Sequence, residues 1–182
     1  MLDGRTDKKI AWDAIKNSLL NEKGISKYDA VKLYPEFVLP RATFITLKKD
    51  GHLRGCIGSL IAHRELFDDL TINAKKAAFE DPRFKPLSSE ELSQISLEVS
   101  ILTPAVLVQY DSIEDLKSKI IQGEDGIILK LGNNQATFLP QVWEDIPDFD
   151  TFFNHLCRKA GLDGNCLANH PQIYKYQAHK IK

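Results

Sequence analysis

At 182 residues, with 43% hydrophobic and 27% charged residues, the chain has the make-up of a single globular domain large enough to bury a sizeable core. A formal net charge of -1 provides no general attraction for nucleic acid or an anionic membrane, and no apolar run approaches the ~20 residues of a membrane span. The polar amino terminus has none of the zones of a secretory signal, so the cytoplasm is the expected compartment, and an odd number of cysteines, three, is expected to be free thiols.

From Lys8 to about Leu20, Ala11, Trp12, Ile15 and Leu19 recur at helical spacing, which predicts an amphipathic helix closed by Gly24. Asp29 to Pro40, with prolines at 35 and 40, reads as an irregular connector. Ala42 to Lys48 is a β-branched and aromatic strand running into Lys49-Asp50-Gly51-His52, where Asp-Gly suits the positive φ angles of a two-residue hairpin. In that register Leu47 faces Arg54, Ile45 faces Cys56 and Phe44 faces Ile57, so the cysteine sits against apolar walls; a bulge shifts the pairing by one residue. Lys48, Lys49 and Arg54 form a short basic run that reads as a solvated turn.

Glu65 to Glu80 has an apolar face of Leu66, Phe67, Leu70, Ala74, Ala77 and Ala78, with Glu65, Asp68 and Asp69 early and Lys75 and Lys76 late, the charge order that suits a helix dipole. Pro82 stops this helix, and Arg83-Phe84-Lys85-Pro86 is a loop. Ser88-Ser89-Glu90-Glu91 predicts a capped helical turn. Ile95 to Leu102 alternates as a half-buried strand with Glu98 and Ser100 on the polar face, and Ser112 to Ile121 follows a helix-capping pattern. Gly126 to Leu131 and Gln135 to Leu139 are strands around a Gly132-Asn133-Asn134 turn. From Phe149, the stripe Phe152, Phe153, Leu156 and Ala160 predicts a core helix ended by Gly161 and Gly164, and Ile173 to Ile181 reads as a last edge strand. Strand pairs with helices between them predict an α+β domain with a mostly antiparallel sheet flanked by helices, and no linker divides residues 1–182.

Leu53-Arg54-Gly55-Cys56-Ile57-Gly58 stands apart, because glycine weakens a strand interior unless a bulge or a close backbone approach requires it. Cys56 is the candidate nucleophile, since Arg54 two residues earlier could favour its thiolate; the competing reading is a small buried hydrophobe. A base would come from His63 or His155, as His52 falls in the turn and His179 near the terminus. Glu98 is either solvent-facing or the partner of Arg54. Zinc binding by His155, Cys157 and Cys166 is disfavoured, because positions two apart on a helix point roughly 200° apart. Metal-ligand spacings, a phosphate loop and a dinucleotide fingerprint do not occur, so no cofactor is indicated.

Taken together, LRGCIG at 53–58, DPRF at 81–84, LEVSILTP at 97–104, DGIIL at 125–129 and FLPQVW at 138–143 resemble the AMMECR domain family, called AmmeMemoRadiSam system protein A in prokaryotes. The resemblance implies a larger and a smaller lobe with a cleft between them, and a binding site made of Leu53, Arg54, Gly55, Ile57, Gly58, Asp81, Arg83 and Glu98. It further implies partnership with Memo-like and radical-SAM proteins and a small molecule or peptide in the cleft. It carries no established activity, so a binding component, a thiol enzyme using Cys56 and a nucleic-acid-linked regulator all remain open, the last disfavoured by the balanced charge. Similar family members often have a tryptophan after the KAGL-type turn, where this chain has Asp163-Gly164-Asn165-Cys166.

Overall fold

The computed structural model describes residues 4–181. The chain forms two compact units: the first runs to Leu102 and takes back the chain from His179, and the second is Thr103–Ala178.

The first unit opens with helix α1 (Gly4–Leu20), and the stretch expected to be irregular instead holds a short helix, α2 (Lys27–Leu33), and a 3₁₀ turn at Pro35–Val38. Ser26 makes α2 possible, because its hydroxyl accepts the Asp29 N–H, and Pro35 places its missing donor where a helical start has no use for one. Strands β1 (Ala42–Lys49), β2 (His52–Gly58), β3 (Ile95–Leu102) and β8 (Ala178–Ile181) form a sheet in the order β2-β1-β3-β8. Helix α3 (Leu66–Phe79) and α1 pack together on one face of it. That face is the core: Ile45, Leu47, Leu97 and Val99 meet Ile10 and Ile15 from α1 and Leu70, Ala74 and Ala77 from α3. The small alanines let the helix lie close to the sheet, as their spacing predicts.

The second unit is a sheet in the order β4-β7-β5-β6, built from β4 (Val106–Val108), β5 (Gly126–Leu131), β6 (Asn134–Phe138) and β7 (Gln172–Tyr176). Every pairing in it is antiparallel. Helices α4 (Ile113–Lys119), α5 (Val142–Asp145) and α6 (Phe149–Lys159) complete it. The aromatic stripe of α6 is core, as expected: Phe152 and Phe153 are fully buried, and Trp143 of α5 stacks on Phe152 with ring centroids 3.6 Å apart.

Two expectations change here. The single edge strand at the carboxyl end is two strands in two sheets, and β7 is interior rather than an edge. The break falls at Gln177, whose N–H donates to the Thr103 hydroxyl and whose carbonyl accepts the Thr103 N–H. The cysteines also depart from three free thiols. Cys157 on α6 and Cys166, in a 3₁₀ turn at Cys166–Asn169, form a buried disulfide with Cα atoms 5.7 Å apart, leaving Cys56 free. The turn at Gly161, where φ is +76°, folds the chain back and brings the two sulfurs together. Sequence spacing does not report that distance. With the sulfurs joined, Cys157 and Cys166 are not thiolate ligands for zinc.

Candidate functional site

The β1–β2 hairpin turns at Asp50 and Gly51, both with positive φ, as the Asp-Gly pair predicts. Lys49 then faces His52 and Lys48 faces Leu53, but Leu47 faces Gly55. Arg54 is the extra residue of a bulge within β2, and every pairing beyond it moves by one. The walls expected around Cys56 therefore change. Cys56 faces Thr46 rather than Ile45, and its sulfur lies 3.4 Å from the Thr46 hydroxyl, on the sheet face turned away from α3. Ile57 takes the place opposite Ile45, on the core side.

Both motif glycines are explained by close approach, and what approaches is the chain itself. A Cβ on Gly55 would overlap the carbonyl oxygen of Ala77, where the end of α3 meets β2. A Cβ on Gly58 would overlap the Phe44 ring and sit 2.5 Å from the Thr43 carbonyl oxygen. The bare backbone expected to receive a ligand is occupied by packing. Leu53 is an exposed residue beside the turn.

The DPRF loop, which follows α3, closes on the outer edge of β2. Asp81 Oδ2 accepts the Cys56 N–H at 2.8 Å, and Arg83 donates to the Cys56 carbonyl at 3.2 Å and to Asp81 Oδ2 at 2.7 Å. Asp81 Oδ1 also accepts the Arg83 main-chain N–H and Nε. The Arg83 hydrogen bonds hold the buried Asp81 carboxyl far below the usual carboxylate range, against its burial, and that carboxylate in turn raises Arg83. Both main-chain groups of Cys56 on the free side of an edge strand are thus satisfied by side chains, a cover that blunts strand-to-strand pairing there. Phe84 lies under two cations, with Arg83 5.5 Å and Arg54 5.9 Å from its ring centre.

Arg54 does not pair with Glu98. Its guanidinium makes a two-pronged contact with Glu91, at 3.0 Å for both Nε and Nη2, and Lys49 and the Ser88 N–H bind the same carboxylate. These donors, led by Arg54, hold Glu91 down at about 2. The charge offered as an activator of Cys56 is therefore spent on a carboxylate, and the bulge takes it out of the thiol's face. Glu98 instead accepts from Lys48 Nζ at 2.9 Å. Because Thr46 pairs with both Cys56 and Glu98, these three side chains form a row across β2, β1 and β3, all half-buried.

Of the histidines offered as a base, His63 is exposed in a loop with Nδ1 2.8 Å from the Ile61 carbonyl, and His155 is on the exposed side of α6 in the second unit. Among the described residues, Thr46 is the hydrogen-bonding partner of the Cys56 sulfur, and no three His, Cys, Asp or Glu side chains are grouped to hold a metal ion.

One buried cluster has almost no local signature. Asp69, expected to serve the helix dipole, is buried with both oxygens engaged: Oδ1 accepts from Ser59 and Arg64, and Oδ2 from the Thr43 N–H, the Thr43 hydroxyl and Asn73. The partners are spread over thirty positions, and only a short polar residue on an otherwise alanine-lined helix face, Asn73, hints at it.

The comparisons agree with this architecture. The AMMECR1 family model matches residues 8–181. A protein of Methanothermobacter thermautotrophicus is 39% identical, covering 97% of this chain and 92% of its own length, and Protein MJ0810 of Methanocaldococcus jannaschii is 37% identical, covering 93% and 85%. The crystal structure of the uncharacterized protein PH0010 from Pyrococcus horikoshii superposes with a TM-score of 0.84 at 32% identity, covering 97% of this chain and 89% of that one. A family model spanning almost the whole chain, relatives matched end to end and a shared fold place the chain in the AMMECR1 family.

Proposed function

We propose that the chain is a binding component, not a catalyst, of a modification system that includes Memo-like and radical-SAM proteins, and that the sheet face carrying Cys56, Thr46 and Glu98 receives a small molecule or a partner segment. The observation that carries this reading is the way the motif spends its charges. Arg54 is committed to Glu91, Asp81 to the Cys56 N–H and Arg83, and Gly55 and Gly58 to packing, so LRGCIG and DPRF together hold a strand in place. What the strand then presents is a row of hydrogen-bonding groups, with Arg83 about half exposed at its edge. Such a surface recognises a polar ligand; a nucleophile would need a base beside the sulfur. The assignment to this system rests on the family resemblance. Capture of purified Memo-like and radical-SAM proteins on the immobilised chain tests it: wild type should retain a partner, and Glu98→Arg or Arg83→Ala should lose most of it while keeping the wild-type circular dichroism. Equal retention by the variants, or none by wild type, overturns it.

A second reading, a thiol-dependent enzyme with Cys56 as nucleophile, is favoured by one feature, the Arg83 guanidinium held on the Cys56 carbonyl. It requires Cys56 to be alkylated quickly near neutral pH and function to be lost in Cys56→Ser.

A further inference from the structure

The second unit contains a cavity of about 230 Å³ walled by Pro104, Val106, Asp125, Lys175 and Tyr176, with the hydrogen-bonded Thr103 and Gln177 completing the lining, well removed in chemistry from the row around Cys56. Asp125, the first residue of the DGIIL stretch, is the buried charge in its lining. Its side chain is only 2% exposed, and it is fixed from three directions: Oδ2 accepts the Ile121 N–H at 2.8 Å and Lys175 Nζ at 3.2 Å, and its carbonyl accepts the Trp143 indole N–H at 2.8 Å. Oδ1 accepts no hydrogen bond among the described residues. Lys175 spends a second hydrogen on the Lys119 carbonyl at 2.7 Å, and an ammonium has three.

We propose that this cavity binds a small aliphatic α-amino acid in its free, zwitterionic form, the ligand's ammonium on Asp125 Oδ1 and its carboxylate on the remaining hydrogen of Lys175. Three features select that class. The Asp125–Lys175 pair is neutral as it stands, so a ligand with net charge would leave one half of the pair without a counterpart beside the buried Asp125 carboxylate, while a zwitterion adds one group to each half of the pair. The volume lies below the roughly 300–1,000 Å³ of pockets for larger ligands, which limits the occupant to a compact molecule. Pro104, Val106 and the Tyr176 ring, whose hydroxyl is occupied by Thr137 and the Phe138 carbonyl, supply an apolar wall for a short side chain.

The test is titration of the full chain with L-valine, L-alanine and glycine, followed by calorimetry and ligand-observed NMR, with N-acetylvaline and valinamide as probes that lack one charged end. Valine should bind saturably, and either blocked form at least tenfold more weakly. Lys175→Met and Asp125→Asn should each lose at least tenfold. Because Asp125 also supports the Ile121 N–H, Val106→Trp serves as the variant that spares the fold: Val106 is 62% exposed, and an indole there fills the cavity and should abolish binding with the melting temperature unchanged. No saturable binding of any free amino acid by wild type, or valine binding indifferent to Val106→Trp and Lys175→Met, overturns the proposal.

Discussion

The main-chain N–H of Cys56 points out of the sheet into the carboxylate of Asp81, 2.8 Å away, and Arg83 closes the same unit by donating to both the Asp81 carboxylate and the Cys56 carbonyl. The strand edge and the loop that covers it are one hydrogen-bonded object. Asp81→Asn keeps the shape but removes the charge that Arg83 answers and converts one acceptor to a donor. A hydrogen bond to a charged group contributes about 1.5–3 kcal/mol, and Arg83 is solvated enough to recover part of its own share, so a loss of about 2 kcal/mol is expected in urea unfolding at pH 7. Wild-type stability in Asp81→Asn would mean that the loop does not hold β2.

Glu91 gives the acid limb of the stability curve a definite sign. Its folded pKa is depressed from 4.5 to about 2 by Arg54 first, then by the Ser88 N–H and Lys49. A depressed carboxylate contributes stability that is fully present above its unfolded pKa and is lost as pH falls through the folded one. Glu91→Gln should therefore be less stable than wild type at pH 7, and the gap should close between pH 4.5 and about 2. Urea midpoints at pH 7, 4 and 2.5 measure it; a constant gap across that range would remove Glu91 as the titrating group.

Gly55 and Gly58 differ from the turn glycine Gly51 in a way that can be measured. A Cβ on Gly51 would meet nothing within 4 Å beyond its own chain neighbours, so alanine there meets only the strain of φ +80°. At Gly55 the obstacle is the Ala77 main-chain carbonyl, and at Gly58 it is the Phe44 ring together with the Thr43 carbonyl; the two carbonyls cannot swing aside. Gly55→Ala and Gly58→Ala should each lose at least about 1–3 kcal/mol, the range for overpacking, and more than Gly51→Ala. If the two motif glycines accept alanine as easily as Gly51, they are there for something other than packing.

Local signals fix some of these features, and contacts distant in sequence decide the others. The hairpin was legible, because Asp50-Gly51 is a local signal for positive φ, and so was the α6 stripe, because its period is local. The face of Cys56 was not. One extra residue in β2 decides it, and the bulged Arg54 finds its partner in Glu91, thirty-seven positions on, a contact that no local pattern reports. The choice between Glu91 and Glu98 for Arg54 likewise depends on strand order, and the pairing of Cys157 with Cys166 on a turn whose path a spacing does not report. That LRGCIG and DPRF belong together was readable only through the family resemblance; the hydrogen bonds that join them lie between residues 25 to 27 apart.

The disulfide is testable by counting thiols. In the native, unreduced protein one thiol per chain, Cys56, should react with Ellman's reagent, and three after reduction and unfolding. The bond closes a loop of nine residues' separation, for which loop-closure entropy gives about 2.5 kcal/mol. Cys157→Ser with Cys166→Ser should lower stability by about that amount, and a reductant should shift wild type toward the double variant. Three reactive thiols in the native chain would contradict the pairing.

Asp69 is the strongest single claim the fold makes about itself. Its buried carboxylate stands where β1, the end of β2 and α3 converge, and it gathers the buried Thr43 N–H and hydroxyl, Ser59 and Asn73 together with the partly exposed Arg64 guanidinium. Asp69→Ala leaves the buried Thr43 N–H without an acceptor and the Arg64 guanidinium with the Ser59 hydroxyl alone; because Arg64 is partly solvated, the loss should lie near the lower end of the range, about 3–5 kcal/mol, for a buried pair that loses one member. Asp69→Asn keeps the volume but sets a donor among donors, so it should group with alanine rather than with wild type. Its neighbour Asp68 is the control: it pairs with Lys27 near the surface, both about 40% exposed, and its loss should change stability by no more than about 1 kcal/mol. Urea unfolding of the three variants separates the two positions. A loss at Asp69 no larger than at Asp68 would mean that the cluster is not what fixes α3 against the strands.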